Sequence, residues 1–130
     1  MTGRLRNERG ATAVEFAFIV PLLLVLVIGI IEFGHAFQVQ GTLSAAAREG
    51  VRAMALRNDP ADARAVVRTA ASSLHPAITD AQIVITPATC PQGTGSTLVR
   101  LRIDYDMPFL TGFFGASVDL TGTGVMRCGG

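Results

Sequence analysis

Hydrophobic and polar positions divide the chain into three regimes. From residue 16 to residue 31, FAFIVPLLLVLVIGII, sixteen residues pass without a charge and without any helical or strand periodicity. An apolar run on every face of a helix has no polar side to turn towards water. At 1.5 Å rise per residue it spans about 24 Å, and adding residues 11–14 and 33–37 brings it past the ~30 Å hydrocarbon core of a bilayer. Glu15 and Glu32 then lie near its two ends. Pro21 removes one helical hydrogen bond, which transmembrane helices tolerate. The second regime begins at residue 38. Leu43, Ala47, Val51 and Met54 recur at spacings of three and four, and Arg48, Glu49, Arg52 and Arg57 fall off that stripe. This is an amphipathic continuation of the helix. Gly41 and Gly50 each weaken it by up to about 1 kcal/mol relative to alanine. "NDP" at 58–60 stops the helix and restarts another, with Asp59 as cap and Pro60 in its first turn. That second helix, residues 61–74, is expected to bury Val66, Val67, Ala70 and Leu74, and "HPAITD" ends it.

In the third regime the period falls from 3.6 to 2. AQIVITP (81–87) reads as a short strand. TLVRLRIDYDM (97–107) alternates: Val99, Leu101, Ile103, Tyr105 and Met107 on one side, Leu98, Arg100, Arg102, Asp104 and Asp106 on the other. That is a sheet with one buried and one wet face. ASVDLTGTGVMRC (116–128) supplies a third strand, weakened by Gly122 and Gly124. PFLTGFFG (108–115) joins the last two strands, and its three phenylalanines either pack under the sheet or form a partner surface. The apolar sheet face needs a cover, and the polar half of the first helix is the evident one.

Composition sharpens the picture. The chain has 130 residues, 49% apolar and 16% charged, which leans towards a membrane-attached domain. A net charge of +1 gives no global field directed at nucleic acid. All eleven basic residues are arginine. Arg4, Arg6 and Arg9 precede the apolar run, and no other basic residue follows until Arg48. Positive charge on one flank orients that flank towards the cytoplasm. The bulk of the chain is then outside. Three readings of the apolar run compete. A buried core helix would need a surrounding body larger than the remaining ninety or so residues. A cleaved secretory signal usually has a 7–15-residue apolar stretch and a small-x-small site, but this run ends in IIEFGHAFQVQ with Glu32 at that place. A retained single membrane helix fits best. The predicted fold class is α+β: a long N-terminal transmembrane helix continuing into an extracytoplasmic helix, a second helix, and a small antiparallel three-stranded sheet.

Cys90 follows the first strand and Cys128 the third. In a meander those strand ends emerge at one edge, within bridging reach, and an oxidising compartment permits the bond. The alternative is two buried thiols. The spacing is not C-x-x-C, and no His or Asp cluster makes a metal site. No cofactor is expected. His35, at the membrane edge, and His75, before Pro76, read as interfacial and surface residues. Asp104 and Asp106 share a face with Arg100 and Arg102, as solvated cross-strand pairs do. PQGTGS (91–96) lacks the lysine and helix of a phosphate loop. No nucleophile–base pair is visible, so the chain is not expected to be an enzyme.

The glycine and glutamate at the head of the apolar run carry more. "RG" followed by "ATAVEF" resembles the leader-peptidase site of type IV pilin-like proteins: a short basic leader, a glycine, then a glutamate as fifth mature residue on an apolar helix. Residues 10–55, with VEFA, the helix proline, the IIEFG exit and the AAREGVR segment, resemble the TadE-like pseudopilins of tight-adherence (Flp) pilus systems. The resemblance implies a pilin-like fold and cleavage between Gly10 and Ala11 by a prepilin peptidase. It also implies Glu15 as the assembly residue, meeting the N-terminal amine of a neighbouring subunit. The residue after the cut is Ala, where major type IV pilins often carry Phe. Glu32, part of the resembling segment, is a candidate partner contact, or else marks the outer interface. The organisation expected is a leader over 1–10, a transmembrane helix over 11–37 and an extracytoplasmic domain over 38–130, in the bacterial inner membrane or in a pilus. Expected partners are the membrane, the prepilin peptidase, and other pilins and assembly proteins, with no nucleic acid. The rival reading is an uncleaved, membrane-anchored binding module that holds a ligand or envelope component with its sheet and phenylalanine loop. A membrane hydrolase ranks a distant third.

Overall fold

The computed structural model of the chain describes residues 4–91 and 95–129. The start of the leader and the middle of the 91–96 turn lie outside the described residues. Two compact units are formed, Met1–His35 and Ala36–Gly130. One helix, α1 (Arg4–Arg57), contributes to both.

In the first unit the apolar side chains of α1 point outwards on all sides. Phe18 is 77% exposed and Leu22 70%. By length and composition this is a candidate membrane span, and none of its most apolar stretch is buried by protein. A surface of that kind is stable only where water is absent.

In the second unit the expected stripe appears. Val39, Leu43, Ala46, Ala47, Val51 and Met54 are buried, and Arg48, Glu49 and Arg52 are exposed. Helix α1 ends at Asn58, whose φ of 53° takes the left-handed turn that stops a helix. A second helix, α2 (Pro60–Ala70), starts at once. The Asp59 carboxylate accepts hydrogen bonds from the backbone N–H of Ala61 (2.9 Å) and Asp62 (3.3 Å), satisfying donors that a helix start leaves open. Helix α2 is shorter than expected and rotated from the expected phase. Ala63 and Val67 face inwards, followed by Ala71 and Leu74 beyond the helix. Val66 is only half-buried and Ala70 is exposed. Small alanines take the inner positions because α2 lies close to α1: a Cβ on Gly50 would sit 2.4 Å from Val67 Cγ2.

The sheet is a meander in the order β1 (Ile83–Thr86), β2 (Leu98–Pro108), β3 (Ser117–Arg127), antiparallel throughout. The first strand begins two residues later than predicted. Asp80–Gln82 form a 3-10 turn instead, closed by Gln82 Oε1 accepting from the Thr79 backbone N–H at 2.8 Å. The alternation of β2 holds along its length, with Val99, Leu101, Ile103, Tyr105 and Met107 all buried. The fold is α+β, with the polar half of α1 covering the sheet as expected.

How α1 lies on the sheet was not expected. The inward positions of β3 opposite Ile103 and Leu101 are Gly122 and Gly124. A Cβ built on Gly122 would stand 2.5 Å from the Leu43 carbonyl oxygen, and one on Gly124 the same distance from that of Ala47. The two glycines therefore do more than weaken a strand. They open a shallow bed in which the helix backbone rests directly against the sheet. Contacts advance together along both elements: Gln40 Nε2 donates to Thr121 O (2.8 Å), Leu43 meets Gly122, Ala47 meets Gly124, and the Gly129 N–H donates to Ala55 O (2.9 Å). Helix α1 and strand β3 thus run parallel.

Candidate functional site

Three groups of residues bear on function. The first is at the head of α1. Gly10, Ala11 and Glu15 are all helical and exposed, and nothing lies within 4 Å of a Cβ built on Gly10. The Thr12 hydroxyl donates back to Glu8 O at 2.9 Å, holding the local turn. Four residues separate Ala11 from Glu15, about one helical turn or 6 Å of rise. The Gly10–Ala11 bond and the Glu15 carboxylate are therefore both presented on the outside of one helix. Glu32 differs. It is the one buried charged residue among the described residues, 1% exposed, and it has an interaction partner.

The second group closes the far end of the second unit. Cys90 and Cys128 form a disulfide, Cα–Cα 5.6 Å, at the edge where the ends of β1 and β3 meet. Asn58 ties that bridge to the end of α1. Its Oδ1 accepts from the Cys90 N–H at 2.6 Å and its Nδ2 donates to Cys90 O at 3.2 Å. Cys128 N–H donates to Thr97 O (2.8 Å). In the sequence Asn58 signals only a helix stop. The asparagine's tolerance of positive φ signals a stop, and its side-chain amide, which can donate and accept at once, is what makes it a clamp.

The third group is the β2–β3 loop. Its phenylalanines divide. Phe109 is half-buried against the core, while Phe113 (65%) and Phe114 (46%) are exposed, as is Leu110. Phe114 lies edge-on to Phe113 and tilted to Phe109, at centroid separations of 6.3 and 6.4 Å. Neither packing under the sheet nor display to a partner describes the whole loop.

The wet sheet face carries charges, but its ion pair runs along one strand where cross-strand pairs were expected. Arg102 is paired with Asp104 at 2.8 Å. Asp106 stands opposite Asp119. A hydrogen bond between their carboxyls, then the charge of Asp119, slight desolvation and the charge of Asp104 hold the Asp106 carboxyl above the usual carboxylate range. Tyr105 is buried and its hydroxyl donates to Pro76 O at 2.8 Å; burial raises its pKa. His35 is half-buried and His75 exposed. Among the described residues no group of three or more His, Cys, Asp or Glu side chains is placed to hold a metal ion.

The family model of TadE-like proteins matches residues 10–52. That segment begins at Gly10, runs through the apolar stretch and ends on the stripe that packs against β3. No curated protein and no solved structure matches the chain. Over residues 10–52 the chain is similar to TadE-like proteins.

Proposed function

We propose that this chain is a minor pilin or pseudopilin, a structural subunit and not an enzyme. It is inserted in the bacterial cytoplasmic membrane by α1, trimmed between Gly10 and Ala11 by a prepilin peptidase, and taken into a Flp/Tad-type pilus with other pilins. The observation that carries this reading is the exposed Gly10–Ala11–Glu15 array at the head of the TadE-like segment. Trimming removes Arg4, Arg6, Arg9 and Glu8 and leaves a free ammonium on Ala11. A carboxylate at the centre of a spanning helix costs about 2.5–3.5 kcal/mol on insertion scales, less near the interface. Glu15 of one subunit and the Ala11 amine of its neighbour offset each other's cost only in a bundle of like helices. Orientation has two supports. The leader arginines favour a cytoplasmic N-terminus, and the Cys90–Cys128 bond favours an oxidising compartment for the second unit.

The test is the N-terminus and intact mass of the protein from its native envelope, with and without the peptidase. A chain starting at Ala11 only in the peptidase's presence is expected. Gly10 substitutions should block trimming, and Glu15→Ala should leave trimming intact but impair pilus incorporation. The exposure of Phe113 and Phe114 favours the second reading, an uncleaved anchored binding module. That reading requires Met1 to be retained in both backgrounds and Glu15→Ala to be silent.

A further inference from the structure

We infer that the β2–β3 loop docks on the surface of a lipid bilayer, with Leu110, Phe113 and Phe114 set in the headgroup–acyl boundary. The inference rests on the reading of α1 as a membrane anchor and says which end of the second unit meets the lipid. Because α1 and β3 run parallel, lower numbers on one accompany lower numbers on the other. Thr121 is bonded to Gln40, and Gly129 to Ala55, fifteen residues further along the helix. The start of β3 at Ser117, and with it the loop before it, therefore lies at the end of the unit where the chain enters at Ala36. The disulfide clamp lies at the other end. At the entry end Phe37 is 79% exposed and the loop displays Leu110, Phe113 and Phe114. The uncharged apolar run over residues 16–31, whose side chains are exposed and which is a candidate membrane span, ends five residues before Ala36. An aromatic tip at the entry end of the second unit is of the kind that settles at a membrane–water interface.

The charges near the tip narrow the chemistry of the surface. Asp104, Asp106 and Asp119 lie on the wet face of β2 and β3 towards the loop, with Arg102 paired to Asp104. No basic residue lies between Arg102 and Arg127. The contact is therefore made by apolar insertion and gains nothing from anionic lipid, unlike a polybasic docking site.

The chain contains no tryptophan, so a single introduced one reports its own surroundings. The full chain is reconstituted in phosphatidylcholine vesicles as three separate variants: Phe113→Trp in the loop, Leu24→Trp in the apolar run, and Leu98→Trp, exposed at the clamp end. Emission is compared without bromine, with bromine near the carbonyl end of the acyl chains to reach Phe113→Trp and with bromine near their methyl end to reach Leu24→Trp, and again with part of the lipid replaced by phosphatidylglycerol. The expected result is strong quenching of Phe113→Trp and Leu24→Trp and none of Leu98→Trp, with no gain from phosphatidylglycerol. Quenching of Leu24→Trp while Phe113→Trp matches Leu98→Trp overturns the inference and leaves the anchor standing. Loss of quenching at Leu24→Trp overturns the anchor itself. A Phe113→Trp emission that shifts with protein-to-lipid ratio but ignores bromine assigns the loop to a second copy of the chain and also overturns the inference.

Discussion

Replacing Gly122 by alanine puts a methyl group where a Cβ would stand 2.5 Å from the carbonyl oxygen of Leu43, 2.7 Å from its carbonyl carbon and 2.9 Å from its Cβ. Contact of this kind cannot be relieved by turning a side chain, because two of the three atoms are backbone. Either α1 lifts from β3 or the strand bends away, and both loosen the Leu43 and Ala47 packing beneath. Overpacking in a well-filled core costs typically about 1–3 kcal/mol. The gain from removing a glycine from a strand interior is about 0.5–1 kcal/mol. The net expected loss is about 1 kcal/mol, or a fall of roughly 4–8 °C in the unfolding midpoint of a domain this size. The assay is thermal unfolding of the full chain in detergent, followed by the sheet signal in circular dichroism. Gly41→Ala is the matched control. It lies on the exposed side of α1 with nothing within 4 Å of its Cβ, so it should raise the midpoint by the helix-propensity gain of about 1 kcal/mol. An unchanged or higher midpoint for Gly122→Ala, with Gly41→Ala behaving as stated, would refute direct helix-on-strand packing.

Three further predictions concern the rest of the second unit. The Cys90–Cys128 bond closes a 38-residue separation, so reducing it, or replacing both cysteines by serine, should remove about 4 kcal/mol on the chain-entropy account; paired denaturant melts with and without reductant measure this. Asn58→Gly should cost about 1–2 kcal/mol for two lost hydrogen bonds, and Asn58→Ala about 1 kcal/mol more, because its φ of 53° then falls on a residue with a Cβ; equal losses would separate the clamp from the backbone turn. Asp106, held above the usual carboxylate range by Asp119, is protonated in the folded chain at pH values where the unfolded chain has already lost that proton. Its contribution is therefore stabilising in acid and is lost as pH rises from about 3.8 through the folded value. Asp106→Asn should flatten that decline and leave the folded chain relatively more stable at neutral pH, as unfolding midpoints across the acid range will show.

Much of this architecture is written in periodicity. The β2 stripe from Val99 to Met107 and the α1 stripe from Leu43 to Met54 are each set by side chains that must leave water, so alternation alone places them. The disulfide follows from meander topology, since antiparallel neighbours bring the ends of β1 and β3 to one edge. What periodicity hides is contact made by the absence of a side chain. Gly122 and Gly124 read as flaws in a strand, yet they occupy the same inward phase as Val118, Leu120 and Met126, and that phase was the available clue. The rotation of α2 was hidden for a related reason: alanines fit either phase, and closeness to Gly50 chooses between them. The head of α1 stands apart. Gly10, Ala11 and Glu15 are exposed and make no packing that physics could read. The role proposed for them rests on a spacing that resembles a family's.

The covalent loop from Cys90 to Cys128 encloses all of β2 and β3. In the proposed role as a filament subunit the chain would be loaded through its N-terminal helix, and a pull there can draw out only the chain before the bridge. The enclosed 38 residues represent about 130 Å of contour length at ~3.4 Å each, and they stay withheld however far α1 is peeled from the sheet. Under tension the chain has a fixed end-stop, with a hairpin head that remains on its tether and can close again when the load falls.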